Sequence, residues 1–354
     1  MRILLLGGTG AMGRHLTQIL ASSQNEISIT SRKIRDNLKN VTFIQGDAHD
    51  EEFLYSVLRQ DFDCIVDFMV YNTEEFKRRA EKMLSLTKQY IFISSARVYA
   101  DSKAPIKEDF PRLLDICDDT EYLLTDEYAL SKARQENILF ESKHKNWTII
   151  RPYITYSENR LQLGVMEKEE WLFLALYGNA LFFSKDISSH LTTLTYGYDV
   201  ARGISAIVGK ENAFGEAFHI TGNHCSIKWS EAFELYKEVL AKNGILPKVY
   251  EPEICSRISN SDMKYQVVYD RYFDRVFDNS KIANFIDTST FIKPLDGLAK
   301  SLDEFLKNKT FLYTSVSNGI KEAVRNYGVR IPVSKIKGSK QKLKYILVRL
   351  GLLR

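Results

Sequence analysis

Two Tyr-x-x-x-Lys pairs, Tyr99–Lys103 and Tyr128–Lys132, are the residues best spaced for chemistry. On a helix this spacing puts both side chains on one face, where an ammonium lowers the pKa of a neighbouring phenol and readies it for proton transfer. Tyr99 ends a strand-like run and is followed by Ala-Asp-Ser-Lys-Ala-Pro, a turn whose Pro105 rules out a useful helix. Tyr128 opens Tyr-Ala-Leu-Ser-Lys-Ala-Arg-Gln-Glu-Asn-Ile-Leu-Phe, a strong helix former. Tyr128 and Lys132 are therefore the expected working pair. A phenol that moves a proton also needs a partner to fix the reacting oxygen. The strand Tyr90-Ile91-Phe92-Ile93 ends in Ser94-Ser95, at the carboxyl edge of a sheet where ligands of such folds sit. Either hydroxyl can bond a substrate alcohol or carbonyl.

A second constellation lies at the start of the chain. Gly7-Gly8-Thr9-Gly10-Ala11-Met12-Gly13 follows the apolar run Ile3-Leu4-Leu5-Leu6 directly and opens a helix-like segment, Arg14 to Ala21. A buried strand running into a glycine turn and then a helix is the geometry that binds a dinucleotide pyrophosphate. The glycines let the backbone turn tightly, and the helix N-terminus presents unpaired N–H groups. Gly7, Gly10, Ala11, Met12 and Gly13 are the expected cofactor contacts.

The elements around these motifs alternate. Strands are expected at Arg2–Leu6, Glu26–Thr30, Val41–Ile44, Cys64–Phe68, Tyr90–Ser94 and Trp147–Ile150. Helices are expected near Gly13–Ala21, Asp50–Leu58, Thr73–Leu86 and Tyr128–Glu141. Alternation of this kind predicts an α/β fold, a doubly wound parallel (Rossmann) sheet covered on both faces. After Arg151-Pro152 the spacing loosens, with a helix near Glu169–Leu176, a strand near Leu191–Thr195 and a helix near Asp199–Val208. The expected division is a dinucleotide-binding domain over residues 1–165, to which 190–220 return. A smaller, mostly helical C-terminal substrate domain then comprises 166–189 and 221–330, and a tail runs over 331–354.

Composition sets bounds. The chain has 354 residues, 44% of them hydrophobic and 27% charged, as in an ordinary soluble globular protein. A net charge of +4 makes no case for nucleic acid. Cys64, Cys117, Cys225 and Cys255 are far apart, which suits reduced thiols, and the six histidines show no metal-ligand spacing. The first apolar run breaks at Gly7 and no segment approaches spanning length, so a cytoplasmic protein is expected.

The glycine motif, Ser94-Ser95-Ala96-Arg97-Val98-Tyr99 and Tyr128-Ala129-Leu130-Ser131-Lys132 together resemble the extended short-chain dehydrogenase/reductase family. Within it the chain is most similar to the NAD(P)-dependent sugar-nucleotide epimerase, dehydratase and reductase group. Arg151-Pro152 and Asp199-Val200-Ala201 match as well, and the likeness spans roughly residues 1–310. The resemblance implies that Ser95 holds the substrate oxygen, Tyr128 transfers the proton, and Lys132 lowers the tyrosine pKa and bonds the nicotinamide ribose. It implies an adenine contact from Asp47, in Gly46-Asp47. Dehydratases of the group carry Asp-Glu where this chain has Ala96 and Arg97, which speaks against dehydration. Thr192 stands about where an arginine usually meets the nucleotide diphosphate; Arg271 and Arg275 are candidates to supply that charge, surface salt bridges being the alternative. A sugar substrate, nucleotide-linked, is expected, turned over by epimerisation or keto-sugar reduction, and a homodimer is compatible. The rival is a non-catalytic nicotinamide-dependent sensor or nucleic-acid-binding scaffold, kept open by Asp67-Phe68-Met69 in the fourth strand.

The second strand ends Ile29-Thr30-Ser31-Arg32-Lys33, without the carboxylate that accepts ribose hydroxyls in NAD-binding sheets. Ser31 and Arg32, with Lys33, favour NADP over NAD through charge-assisted hydrogen bonds. The tail from Lys335 to Arg354 carries seven Lys/Arg and no acid. Leu343, Ile346, Leu347 and Leu350 fall at helical spacing. That stripe is expected to pack on the protein's own body or on a second subunit, with an anionic membrane surface as the alternative.

Overall fold

Ile3, Leu4, Leu5 and Leu6 are fully buried, as a strand covered on both faces must be. They form β1 (Arg2–Leu6), an inner strand of a seven-stranded sheet in the computed structural model, which describes residues 1–223, 225–255 and 263–353. Its other strands are β2 (Glu26–Ser31), β3 (Val41–Gln45), β4 (Phe62–Asp67), β5 (Thr87–Ile93), β6 (Trp147–Arg151) and the edge strand Glu216–His219. The order runs Glu216–His219, β6, β5, β4, β1, β2, β3, and every pairing is parallel. The chain lays β2 and β3 on one side of β1, then crosses to lay β4 to β6 on the other. The switch leaves a crevice beyond the carboxyl ends of β1 and β4, where ligands of open α/β sheets bind.

Side chains alternate across the sheet with period two. Ile3 and Leu5 join Leu16 and Leu20 of α1 (Ala11–Ser22) and Val200 and Ile204 of the helix Gly197–Ile207. Leu4 and Leu6 face the other way, onto Leu54 and Val57 of α2 (Glu51–Leu58) and Phe76, Ala80 and Met83 of α3 (Thr73–Ser85). Asp50 and Asn72 cap α2 and α3 by accepting from Phe53 N and Glu75 N, each at 2.8 Å. Such caps contribute about 1 kcal/mol each.

The remaining chain builds a second layer. Ile154–Tyr156, Leu191–Tyr196 and Ser226–Lys228 form a three-stranded sheet. Beside it the helices Lys168–Tyr177, Trp229–Lys242 and Pro294–Asn308 bury Trp171, Tyr236 and Leu298 in one core. The expected return of residues 190–220 to the main sheet is thereby divided. Glu216–His219 pairs with β6, whereas Leu191–Tyr196 pairs with Ile154–Tyr156 in the smaller sheet. None of the four cysteines is bridged.

The tail does not pack on the protein's own body through its leucine stripe. Its helix, Ser339–Arg349, is anchored through Tyr345 and Val348, both buried, while Leu343, Ile346 and Leu350 are 59%, 39% and 64% exposed. Tyr345 and Val348 lie on the opposite side of the helix from the leucine stripe, and they meet the body first. The stripe expected to pack therefore faces away from it.

Candidate active site

The glycine turn behaves as its sequence requires. Gly7 has φ of +67°, and a Cβ there would lie 2.9 Å from Met69 Sδ; a Cβ on Gly13 would lie 2.3 Å from the Gly8 carbonyl oxygen. Gly10 caps α1 with no side chain over it, and the space where its Cβ would stand is open. The first turn of α1 holds no acid. An uncovered helix N-terminus beside a glycine cradle fits a pyrophosphate.

A cavity of about 300 Å³ lies beside this turn, lined by Gly7, Thr9, Ser31, Arg32, Asp47 and His49 among others. Asp47 Oδ1 accepts from His49 N at 3.0 Å. The Ser31 hydroxyl donates to Lys33 O at 2.9 Å and accepts from Arg35 Nε at 3.3 Å. Arg32 is exposed at the rim. His49 and Arg35 were not singled out from the sequence, because loop residues carry no periodicity to mark them.

A second cavity, about 240 Å³, adjoins the first through Phe68, Met69 and Val70. Met12, Ser94, Ser95, Tyr128 and Lys132 all line it. The strand end, the helix Tyr128–Glu141 and the start of α1 thus meet in one cleft. Glu127 starts that helix by accepting from Ala129 N at 2.7 Å. Burial raises the Tyr128 phenol above its ordinary pKa; Arg97, Arg160 and a hydrogen bond from Ser95 pull it back. Burial also brings the Lys132 ammonium down to about 8, against the pull of Asp67 and Glu136. Lys132 Nζ donates to Ile93 O at 2.9 Å. Arg97 and Arg160 are thus the nearest cations that favour the phenolate.

Several expected contacts are placed elsewhere. Ser94 lines the cleft, but its hydroxyl donates to Glu136 Oε1 at 2.6 Å. Glu136 is fully buried and also accepts from Arg151 Nε and Nη2, each at 2.8 Å, and from Arg112 Nη1 at 3.2 Å. Arg275 lies in the core, away from the cleft. Its donors go to Asp270 at 3.1 Å, Ala100 O at 3.0 Å and Tyr99 O at 3.1 Å. Arg271 does line the cleft, paired with Asp270 and donating to Gly164 O at 3.0 Å. Neither arginine makes a surface salt bridge. Tyr99 is fully buried, its hydroxyl accepting from Arg151 at 2.9 Å. Asp67 is fully buried and accepts from Met69 N and Tyr90 OH at 2.9 and 2.7 Å.

The far wall adds residues that the sequence did not mark as ligand contacts. Arg97 and Arg160 line the cleft and are paired with Glu127 at 2.6 Å and Glu167 at 3.3 Å. Gln162 lines it too, buried, with its Oε1 lacking a hydrogen-bond partner. Counting Lys132 and Arg271, four cations face this space, and no carboxylate is among the lining residues.

A parallel sheet with a glycine turn at its switch point and a Ser–Tyr–Lys cleft beside it is the architecture of a dinucleotide-binding Rossmann fold. Residues 7–173 match the family model described as NAD(P)H-binding, and this stretch is the chain's NAD(P)H-binding domain. The chain is 27% identical over 270 residues to the chloroplast stem-loop binding protein of 41 kDa b of Arabidopsis thaliana, covering 72% of this chain and 65% of that protein. It is 28% identical over 162 residues to a UDP-glucose 4-epimerase of Lacticaseibacillus casei, covering 39% of this chain and 46% of the epimerase. It thus spans under two thirds of each of these curated relatives. Among solved structures, UDP-glucuronic acid 4-epimerase of Bacillus cereus, in complex with UDP-glucuronic acid and NAD, superposes with a TM-score of 0.66 at 18% identity. That superposition covers 88% of this chain and all of the epimerase. A NAD-dependent NDP-hexosamine 5,6-dehydratase superposes at 0.63 with 15% identity, covering 88% of this chain and 99% of the dehydratase. These likenesses place the fold among sugar-nucleotide epimerases and dehydratases.

Proposed function

We propose that the protein is a NAD(P)-dependent enzyme acting at a hydroxyl or keto carbon of a nucleotide-linked sugar. The observation that carries this is the meeting of Ser95, Tyr128 and Lys132 in a cleft that adjoins the glycine-turn groove. The bound nicotinamide supplies the hydride acceptor or donor. Ser95 holds the reacting oxygen by a hydrogen bond. Tyr128 takes or gives its proton, and the arginines beside it stabilise the phenolate in the interval. Lys132, lining the same cleft, bonds the ribose hydroxyls. Arg97, Arg160 and Arg271 suit a pyrophosphate or carboxylate on the substrate, since guanidinium forks match both. Gln162 offers an acceptor to a sugar hydroxyl.

Removal of water needs a carboxylic acid and base at the sugar, and Ala96 and Arg97 offer neither. Epimerisation and keto-sugar reduction share the remaining groups. The test begins with identifying the nucleotide that co-purifies with the protein. The protein is then incubated with NAD or NADPH and UDP-glucose, UDP-glucuronic acid and their 4-keto forms, with products read by proton NMR. Epimer formation with cofactor returned unchanged assigns an epimerase, and stoichiometric NADPH loss assigns a reductase. Absence of both across the panel removes the proposal.

The match to the stem-loop binding protein favours a second reading, in which the fold binds a nucleic-acid stem-loop without turnover. A nucleic-acid stem-loop shifted on a native gel by the protein, equally by its Tyr128→Phe variant, is the outcome that this reading requires.

A further inference from the structure

We propose that the C-terminal helix Ser339–Arg349 is an in-plane membrane anchor that seats the protein on an anionic bilayer. The helix is held to the body by its inner side alone. Tyr345 OH accepts from Ile331 N at 2.7 Å, Gln341 Oε1 accepts from Val316 N at 2.9 Å, and Val348 is buried. At about 100° per residue, Leu343, Ile346, Leu347 and Leu350 share a stripe on the opposite side. Leu343, Ile346 and Leu350 are exposed, and so is Leu352 just beyond the helix end. A monomer gains nothing from holding four large apolar side chains in water on one short segment.

The charge around the stripe says what covers it. By the same helical geometry Lys342 and Arg349 border one edge of the stripe, and Lys340 and Lys344 border the other. From Lys335 onward the sequence holds seven basic residues and no acid. An apolar stripe flanked on both sides by cations matches the boundary between acyl chains and anionic headgroups, with leucines in the first and ammonium groups at the second. A second copy fits less well, because a two-fold contact through the same stripe sets like charges against one another. Nucleic acid would engage the cations but leave the leucines wet. At eleven residues the helix lies on a bilayer and does not cross it. No helix among the described residues is long and apolar enough to cross. The contacts of Tyr345 and Gln341 fix the helix before it meets a surface, so little ordering opposes binding.

Vesicle co-sedimentation tests this with the full chain. The vesicles are phosphatidylcholine alone or a mixture with phosphatidylglycerol. Wild type is expected to pellet with the mixed vesicles and not with phosphatidylcholine, and added salt is expected to release it. The combined Leu343→Ser, Ile346→Ser and Leu350→Ser variant is expected to stay in the supernatant with its melting temperature unchanged. The combined Lys340→Gln, Lys342→Gln and Lys344→Gln variant is expected to bind about a hundredfold more weakly. Failure of wild type to pellet with the anionic vesicles overturns the proposal. Pelleting that survives the serine changes does so too. A dimer in solution that those changes convert to monomer, without vesicle binding, assigns the stripe to a second copy instead. All three readings leave the enzymatic proposal untouched, since it is assayed without lipid.

Discussion

The guanidinium of Arg97 lies over the ring of Tyr128, its central carbon 5.4 Å from the ring centroid. Arg97 comes from the short 3-10 turn Ala96–Val98 after β5, Tyr128 from the first residue of its helix. Glu127, which caps that helix, is also the carboxylate that holds Arg97 in place. One side chain therefore fixes both the phenol's backbone and the cation beside it.

Replacing Arg97 with Met is expected to raise the Tyr128 pKa further, because burial would then act with one opposing cation fewer. The acid limb of the rate–pH profile for alcohol oxidation should move to higher pH, and the rate at neutral pH should fall. If the limb moved instead with Lys132→Met and not with Arg97→Met, the assignment of the tuning cation would be reversed.

Tyr128→Phe keeps the ring and removes the proton carrier. Turnover is expected to drop about 10²–10⁴-fold with cofactor affinity little changed. Tyr99→Phe is expected to do the opposite, leaving the chemistry intact and lowering the melting temperature, because it strips an acceptor from buried Arg151. Steady-state kinetics and thermal melts on both variants separate the two tyrosines.

Arg32 is the cation at the rim of the nucleotide groove. Arg32→Ala is expected to weaken NADPH binding about tenfold or more and to leave NADH nearly unaffected. Fluorescence titration with each cofactor reads this directly, and equal losses for both would assign the protein to NAD.

Acid should weaken the fold through His219. It is fully buried, its Nε2 donating to Asp278 O at 2.6 Å, and burial pulls its pKa down to about 4. In the unfolded chain the same imidazole titrates near about 6.5. Above that value neither state is charged and His219 has no pH effect. Between the two values only the unfolded state takes up the proton, so stability falls as pH drops, by about 3 kcal/mol in all. Chemical denaturation of wild type and His219→Gln at pH 7 and pH 4.5 should show a smaller pH-dependent loss in the variant.

What the sequence disclosed follows the range of the interactions. The glycine turn, the six main strands and the helix Tyr128–Glu141 are written in local pattern, and that helix has the bounds its residues imply. The roles of Ser94 and Arg275 are not local. Ser94 is engaged by Glu136, 42 residues on, and Arg275 by carbonyls 175 and 176 residues back. No spacing along the chain announces such partners. Arg160 and Gln162 lie in an irregular stretch after Ile154–Tyr156, where neither a period of two nor of 3.6 marks a face. In the tail, periodicity found the stripe but not its direction, which Tyr345 and Val348 decide by packing.

Glu136 joins the end of β5, the end of β6 and the Arg112 loop to the helix that carries Tyr128. The floor of the cleft is thereby clamped from within, at a buried carboxylate that does not line the cleft. The opposite wall, where Gln162 and Gln266 line the cleft, has no part in that clamp. Variation can accordingly be divided: the wall is free to be rewritten for a new substrate while the proton-moving groups stay in register. A library confined to those two positions would explore specificity without putting the catalytic geometry at risk.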